Sequence, residues 1–295
     1  MVPQDGCWVF HHMVESGGST VRSILRRFIE RNRVRRIRYA NDEWMHGFEG
    51  TRFADEYFKT GQGIIDGGYV EVLRPIENGR NCKWFTIFRH PVSRLVSAFY
   101  YCKYMHRTIC GRFGFDLDSL DLLTFAEHWG NYGLRQYALG FISTEDVLAS
   151  PAAQSCEMCP GWYVVKRYLQ DLQQQTHNNA AIAASTDEHI LYTFLEPTLE
   201  IINSRYTVVS ILEDMATTTR LLDSALGMNQ FNWTVESNNI GTVNEDSQHK
   251  AEEHAAMRAA STNPAIMRFI WLDMILYEFA MRVYERQLEQ YGLEK

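Results

Sequence analysis

The stretch WFTIFRHPVSRLVSAFYY, residues 84–101, decides the fold. Residues 84–88 are an uncharged run of aromatic and β-branched side chains, the pattern of a buried strand. The run ends at Arg89, His90 and Pro91. Proline suits the first turn of a helix, and Leu95, Val96, Phe99 and Tyr100 continue at helical spacing. A strand that passes into a helix within three residues is half of a βα repeat. Arg89 then stands at the carboxyl edge of the strand, where ligands bind in open α/β sheets. A guanidinium there can clamp a phosphate through two N–H bonds. The plainer reading is a surface arginine at a strand end, with Arg94 on a solvated face. Ser97 falls about two turns into the helix.

The same order occurs near the N-terminus. Residues 8–13 (WVFHHM) read as a short strand, followed by Ser16, Gly17, Gly18, Ser19 and Thr20. Val21, Ile24, Leu25, Phe28 and Ile29 then recur at helical spacing. A Gly-rich turn opening a helix is a ready anion site, because backbone N–H groups and the helix dipole both favour negative charge there. Ser16, Ser19 and Thr20 add hydroxyl groups. The turn is not a Walker A loop, since Gly18 stands where its lysine belongs, nor is it the GxGxxG of dinucleotide folds. A P-loop kinase or NTPase is weakened accordingly.

Further elements extend the alternation. Residues 34–39 form an apolar run diluted by arginines, residues 63–73 can hold a third strand, and residues 207–212 (TVVSIL) read as another. The spacing predicts helices over 125–141, over 187–204 with a kink at Pro197, and over 213–226 with Gly227 as C-terminal cap. A last helix carries Ile266, Phe269, Ile270, Met274, Tyr277, Met281, Tyr284 and Leu288 on one core-facing stripe. Residues 228–262, rich in Asn, Thr, Ser and Glu, read as a long surface loop. With no linker visible, the expectation is one α/β domain over residues 1–295, with a central, mainly parallel sheet flanked by helices and a P-loop-like phosphate-binding turn.

Composition sets the outer bounds. A chain of 295 residues, 45% hydrophobic and 22% charged, is ordinary for a globular protein and unlike a disordered or repetitive one. The net charge of −7 argues against wrapping nucleic acid. Arginines cluster between Arg22 and Arg38, either as a solvated face or as a local anion-attracting field. No apolar run reaches the roughly 20 residues of a membrane span, and the N-terminus shows no signal-peptide pattern. Cys7, Cys82, Cys102, Cys110, Cys156 and Cys159 do not follow a small disulfide scaffold. The isolated CxxC of Cys156 and Cys159 lacks the second pair or histidines of a zinc site, and a loop disulfide or two free thiols fits it better. The cysteines leave the compartment undecided.

Together, FHHMVESGGSTVRSIL and FTIFRHPVSRLVSAFYY resemble the cofactor motifs of sulfotransferases that use 3′-phosphoadenosine-5′-phosphosulfate (PAPS). They look most like the carbohydrate 2-O- and 6-O-sulfotransferase group, to which heparan sulfate 2-O-sulfotransferase belongs. In that family a Lys-Ser/Thr-Gly-Gly-Ser/Thr turn holds the 5′-phosphosulfate, and an Arg-Asp/His-Pro-x-x-Arg-x-x-Ser segment holds the 3′-phosphate with its first Arg and its Ser. The resemblance implies these roles for Ser16, Gly17, Gly18, Ser19 and Thr20, and for Arg89 and Ser97. Residues 207–215 (TVVSILEDM) and 269–288 also resemble family segments, whereas 105–205 and 228–262 add little.

Two positions depart from the family pattern. Glu15 stands where the family has its phosphosulfate lysine, and Arg22 or Arg26 is the expected substitute. The family's histidine base, in a Gly-His segment, aligns with Gly68 here. His46 is then the candidate general base, as its ordinary pKa suits the task; His12 and Glu15 are the other possibilities.

The resemblance implies sulfuryl transfer from PAPS to a hydroxyl of an acceptor, a saccharide by family, with adenosine 3′,5′-bisphosphate (PAP) as product and no metal. The alternative is a degenerate member that binds PAP or PAPS without turnover. Family precedent implies the Golgi lumen if a membrane anchor precedes this chain, and the cytoplasm otherwise.

Overall fold

A five-stranded sheet carries the fold, in the order β2-β3-β1-β4-β5 with every neighbouring pair parallel. The computed structural model describes residues 7–13, 15–32, 38–41, 63–68, 70–71, 82–105, 116, 118–138, 140–141, 168, 188–227 and 247–294. The strands are β1 (Cys7–His11), β2 (Arg38–Asn41), β3 (Gly63–Gly67), β4 (Lys83–Phe88) and β5 (Tyr206–Ile211). Helix α1 (Gly18–Asn32) follows β1, α2 (Pro91–Tyr100) follows β4, and α6 (Met215–Leu226) follows β5. The other helices are α3 (Leu122–Trp129), α4 (Tyr132–Ala138), α5 (Glu188–Ser204), α7 (Ser247–Thr262) and α8 (Pro264–Gln290). The α/β class and the parallel sheet agree with the sequence reading.

The chain divides into two compact units. The first comprises Met1–Arg89, Ile201–Asp246 and Tyr277–Lys295; the second comprises His90–Glu200 and Ser247–Leu276. The first unit holds the sheet. Its strands are apolar on both faces, as parallel strands between helices must be. Trp8, Val9, Phe10, Ile64, Ile65, Trp84, Phe85, Val208 and Val209 are all buried. Phe10 stacks on Phe85 with centroids 4.9 Å apart, and Trp84 meets Tyr206 edge-on at 6.0 Å. The outer edge of β5 is covered by Gln287 of α8, which accepts from the Val209 N–H (2.8 Å) and donates to the Tyr206 carbonyl (3.1 Å). One amide side chain thus stands in for a neighbouring strand. Helix α6 ends at Gly227, whose φ of 72° is the left-handed cap that the sequence indicated.

The second unit is helical. Here the predicted single helix over 125–141 is two helices. The break has a packing cause. A Cβ on Gly130 would lie 2.1 Å from the Phe269 carbonyl oxygen, so the chain passes α8 at a distance only glycine permits. Asn131 follows at φ 52°, and its Oδ1 accepts the backbone N–H groups of Leu272 (3.1 Å) and Asp273 (3.3 Å). Residues 247–262, read above as loop, form α7. Its alanines and glutamates are strong helix formers that carry no apolar stripe. Residues 228–246 lie outside the described residues, as do residues 34–37 of the arginine-diluted run. Helix α5 runs through Pro197.

Arg94, read as solvent-facing, is buried. Its Nη2 donates to Asp273 Oδ2, and the guanidinium lies 5.5 Å from the Tyr132 ring centroid. Cys82 and Cys102, just before β4 and just after α2, are each disulfide-bonded and buried. Among the described residues, no helix is long and apolar enough to cross a membrane.

Candidate functional site: the turn after β1

Strand order fixes where a ligand crevice lies. From β1 the chain moves to β2 on one side of the sheet, and from β4 it moves to β5 on the other. Since β1 and β4 are neighbours, the crevice at the switch point opens outside their carboxyl ends. The two segments that stood out in the sequence meet there. Arg89 Nη1 donates to the Glu15 carbonyl at 2.9 Å, joining the end of β4 to the turn after β1.

The turn is tight. The Ser16 N–H donates to the Met13 carbonyl and the Thr20 N–H to the Gly17 carbonyl, both at 3.2 Å. Glu15 takes φ 61° and Gly17 φ 76°. For glutamate the left-handed conformation costs about 1–2 kcal/mol, the kind of local strain that clusters at ligand sites. A Cβ on Gly17 would come within 2.6 Å of Leu212 Cδ1, and one on Gly18 within 1.7 Å of His12 Cδ2 and 1.9 Å of His12 Nε2. Backbone and side chains therefore crowd against α1 where its first amides are. Ser16 is 1% exposed, and its Oγ has no hydrogen-bond partner among the described residues. A buried hydroxyl left so costs about 1–3 kcal/mol unless a ligand takes it up.

Two histidines lie beside this turn. His12 stacks on Phe10 with centroids 5.8 Å apart, and its Nδ1 meets Arg22 Nη2. Arg22 in turn donates from Nε to Asp66 Oδ2 at 2.6 Å. Burial, then the charge of Arg22, then His11 bring the His12 pKa down to about 3. On the other face of β1, His11 Nδ1 lies 2.8 Å from the Tyr206 hydroxyl, and that hydroxyl donates to Glu71 Oε1. Burial brings His11 to about 3 as well, against a backbone hydrogen bond with Gly68 that raises it.

This geometry places several of the residues that the sequence singled out. Ser16, Gly17, Gly18 and the backbones of Ser19 and Thr20 form the turn and open α1, with Arg89 bonded to it. Ser97 is half-buried on α2 and belongs to the second unit. His46 lies outside the described residues. Arg22, one of the two arginines expected in place of a lysine, is engaged by Asp66 and His12, and the side chain of Arg26 lies outside the described residues. His12 is a poor base, its Nδ1 lone pair being taken by Arg22. Reading the sequence missed Asp66 and Glu71; a lone aspartate inside the strand GIIDG was the available signal.

No family model matches this chain, and no curated protein matches it. Among the described residues no cluster of His, Cys, Asp and Glu is placed to hold a metal ion.

Proposed function

We propose that this chain binds PAPS and transfers its sulfuryl group to a hydroxyl of an acceptor, a saccharide by family resemblance. The observation that carries the reading is the junction of the two motifs: Arg89 bonded to the Glu15 carbonyl, beside the buried and unpartnered Ser16 Oγ. The residue types fit a phosphorylated nucleotide. The turn amides, Ser16 and Thr20 suit the 5′-phosphosulfate, while Arg89 suits the 3′-phosphate. In the reaction the acceptor oxygen bonds to sulfur, the bond from sulfur to the 5′-phosphate oxygen breaks, the acceptor proton passes to a base, and PAP leaves. Preorganised amides and Arg89 would stabilise the charge that gathers on the leaving phosphate, with no metal required. For the base, His46 stays the sequence's candidate.

Glu15 supports a second reading. With a carboxylate in the lysine's place and Arg22 engaged elsewhere, the protein would bind PAP or PAPS without turning over. Under either reading, the disulfides at Cys82 and Cys102 favour an oxidising compartment, which supports the Golgi lumen over the cytoplasm.

Calorimetric titration with PAP and with 5′-AMP, on wild type and on Arg89→Ala, tests the nucleotide site. PAP should bind at least tenfold more tightly than AMP, and Arg89→Ala should remove the difference. Equal affinity for the two, or no PAP binding, overturns the reading. Assay of PAPS against a panel of saccharide acceptors then separates enzyme from binder.

A further inference from the structure

We infer that the turn after α2 is a binding surface for an uncharged saccharide: Tyr100, Tyr101 and Tyr104 offer the rings, and Glu252 and Glu253 of α7 set the charge. The inference rests on the proposed function for one point, that the acceptor is a saccharide, and names its class. Helix α2 continues into a π-helical turn, Tyr101–Met105. Such turns are rare and recur at functional sites. Here the turn brings tyrosines out together. Tyr101 is 41% exposed and Tyr104 46%, high values for rings of this size. Tyr104 stacks with the half-buried Tyr100, their centroids 5.7 Å apart and their planes 24° from parallel.

The rings stand on a fixed base. Buried Phe99 meets Tyr100 edge-on at 5.4 Å and Phe125 of α3 at 5.6 Å. Cys102 is buried and disulfide-bonded, and Lys103 Nζ lies 5.3 Å from the Phe99 ring centroid. Side chains already held in place lose little freedom on binding. The face of an aromatic ring is electron-rich, and a pyranose has a face of C–H groups that packs on it while its hydroxyls point outward. Charge then selects among saccharides. Helix α7 packs on α2, and its Glu252 and Glu253 lie close enough to act on Tyr100. Burial, then Tyr104, then these two carboxylates raise the Tyr100 pKa. Carboxylates accept strong hydrogen bonds from sugar hydroxyls. A sulfated or uronate chain would bring like charge against them, which costs affinity. The surface therefore fits a neutral chain rather than a heparan-like polyanion.

Calorimetric titration of the full chain, without nucleotide, tests this with cellohexaose, mannohexaose and chitohexaose against a sulfated heparin hexasaccharide. At least one neutral chain should bind, and more tightly than the heparin fragment. Tyr104→Ala removes an exposed ring and should weaken that chain by about tenfold. Glu252→Gln combined with Glu253→Gln should narrow the preference over the heparin fragment by roughly threefold to tenfold. If no neutral chain binds, if the heparin fragment binds more tightly, or if Tyr104→Ala binds as wild type does, the inference fails. Should Tyr104→Ala not fold, Tyr101→Ala decides in its place. Titration with PAP reads the nucleotide site separately. PAP binding without saccharide binding sinks this inference alone. Saccharide binding without PAP binding sinks the sulfuryl-transfer reading and leaves this surface standing.

Discussion

Arg94 and Asp273, 179 residues apart, form a buried ion pair within the second unit, and Asp273 also accepts the Gly133 and Leu134 N–H groups at 3.1 and 2.9 Å. One carboxylate thus joins α2, the first turn of α4 and α8. Removing a single partner strands a buried charge. Arg94→Met or Asp273→Asn should therefore destabilise the protein by about 3–5 kcal/mol in urea unfolding. The double variant should cost clearly less than the two single losses combined. Additive losses would mean that the pair is not coupled.

His11 and His12 make stability depend on pH in a definite direction. Each has a folded pKa near 3 against 6.5 for the free side chain. Below about pH 6.5 the unfolded chain binds protons that the folded chain refuses. Stability should therefore fall as pH drops from 6.5 toward 3, by up to roughly 3 kcal/mol per pH unit for the two groups together. Above pH 7 these groups contribute no slope. Denaturant unfolding at pH 7.5, 6 and 5 measures this, and His12→Phe should reduce the slope by about half. A stability that stays flat down to pH 5 would show that the rings are not held neutral.

The parts of the fold legible in sequence were those with local causes. WFTIF and TVVSIL declare buried strands because they are uncharged and β-branched or aromatic. The Ser16–Thr20 turn and Gly227 declare themselves through glycine. What stayed hidden has distant causes. Gly130 breaks a helix because Phe269 of α8 lies against it, and nothing near Gly130 in the chain says so. Helix α7 lacks an apolar stripe, so its alanines were outweighed by neighbouring polar residues. In the site, the turn and Arg89 were legible, while the fate of Arg22 was not: Asp66, on a different strand, decides it.

Gly18 and Gly227 should respond very differently to alanine. Gly227 has φ 72° but nothing within 4 Å of a new Cβ, so only backbone strain of about 1–2 kcal/mol applies. At Gly18 an alanine Cβ would drive into the His12 ring. His12 is wedged between Phe10 and Arg22, so the ring has no easy retreat. Gly18→Ala should cost about 1–3 kcal/mol through overpacking and should also abolish PAP binding, whereas Gly227→Ala should bind PAP normally. Melting curves with and without PAP separate the two effects. Normal PAP binding by Gly18→Ala would show that the contact between ring and helix does not shape the site.

Glu15→Lys gives the turn the lysine that the sulfotransferases it resembles carry there. The backbone at this position is left-handed for either residue, and Arg89 donates to the main-chain carbonyl, so that bond should survive the change. A unit charge about 4 Å from a phosphate is worth about 4 kcal/mol at an effective dielectric near 20. Glu15 is only half-buried, and screening at such a site cuts that figure severalfold. PAP and AMP should both bind roughly tenfold to a hundredfold more tightly, with the gain shrinking as salt rises. An unchanged affinity would mean that the side chain at this position points away from the anion. Turnover decides between the two functional readings. If wild type transfers no sulfuryl group and Glu15→Lys does, Glu15 is the feature that silenced an otherwise complete site. If both transfer, the turn amides, Ser16 and Arg89 suffice without a lysine.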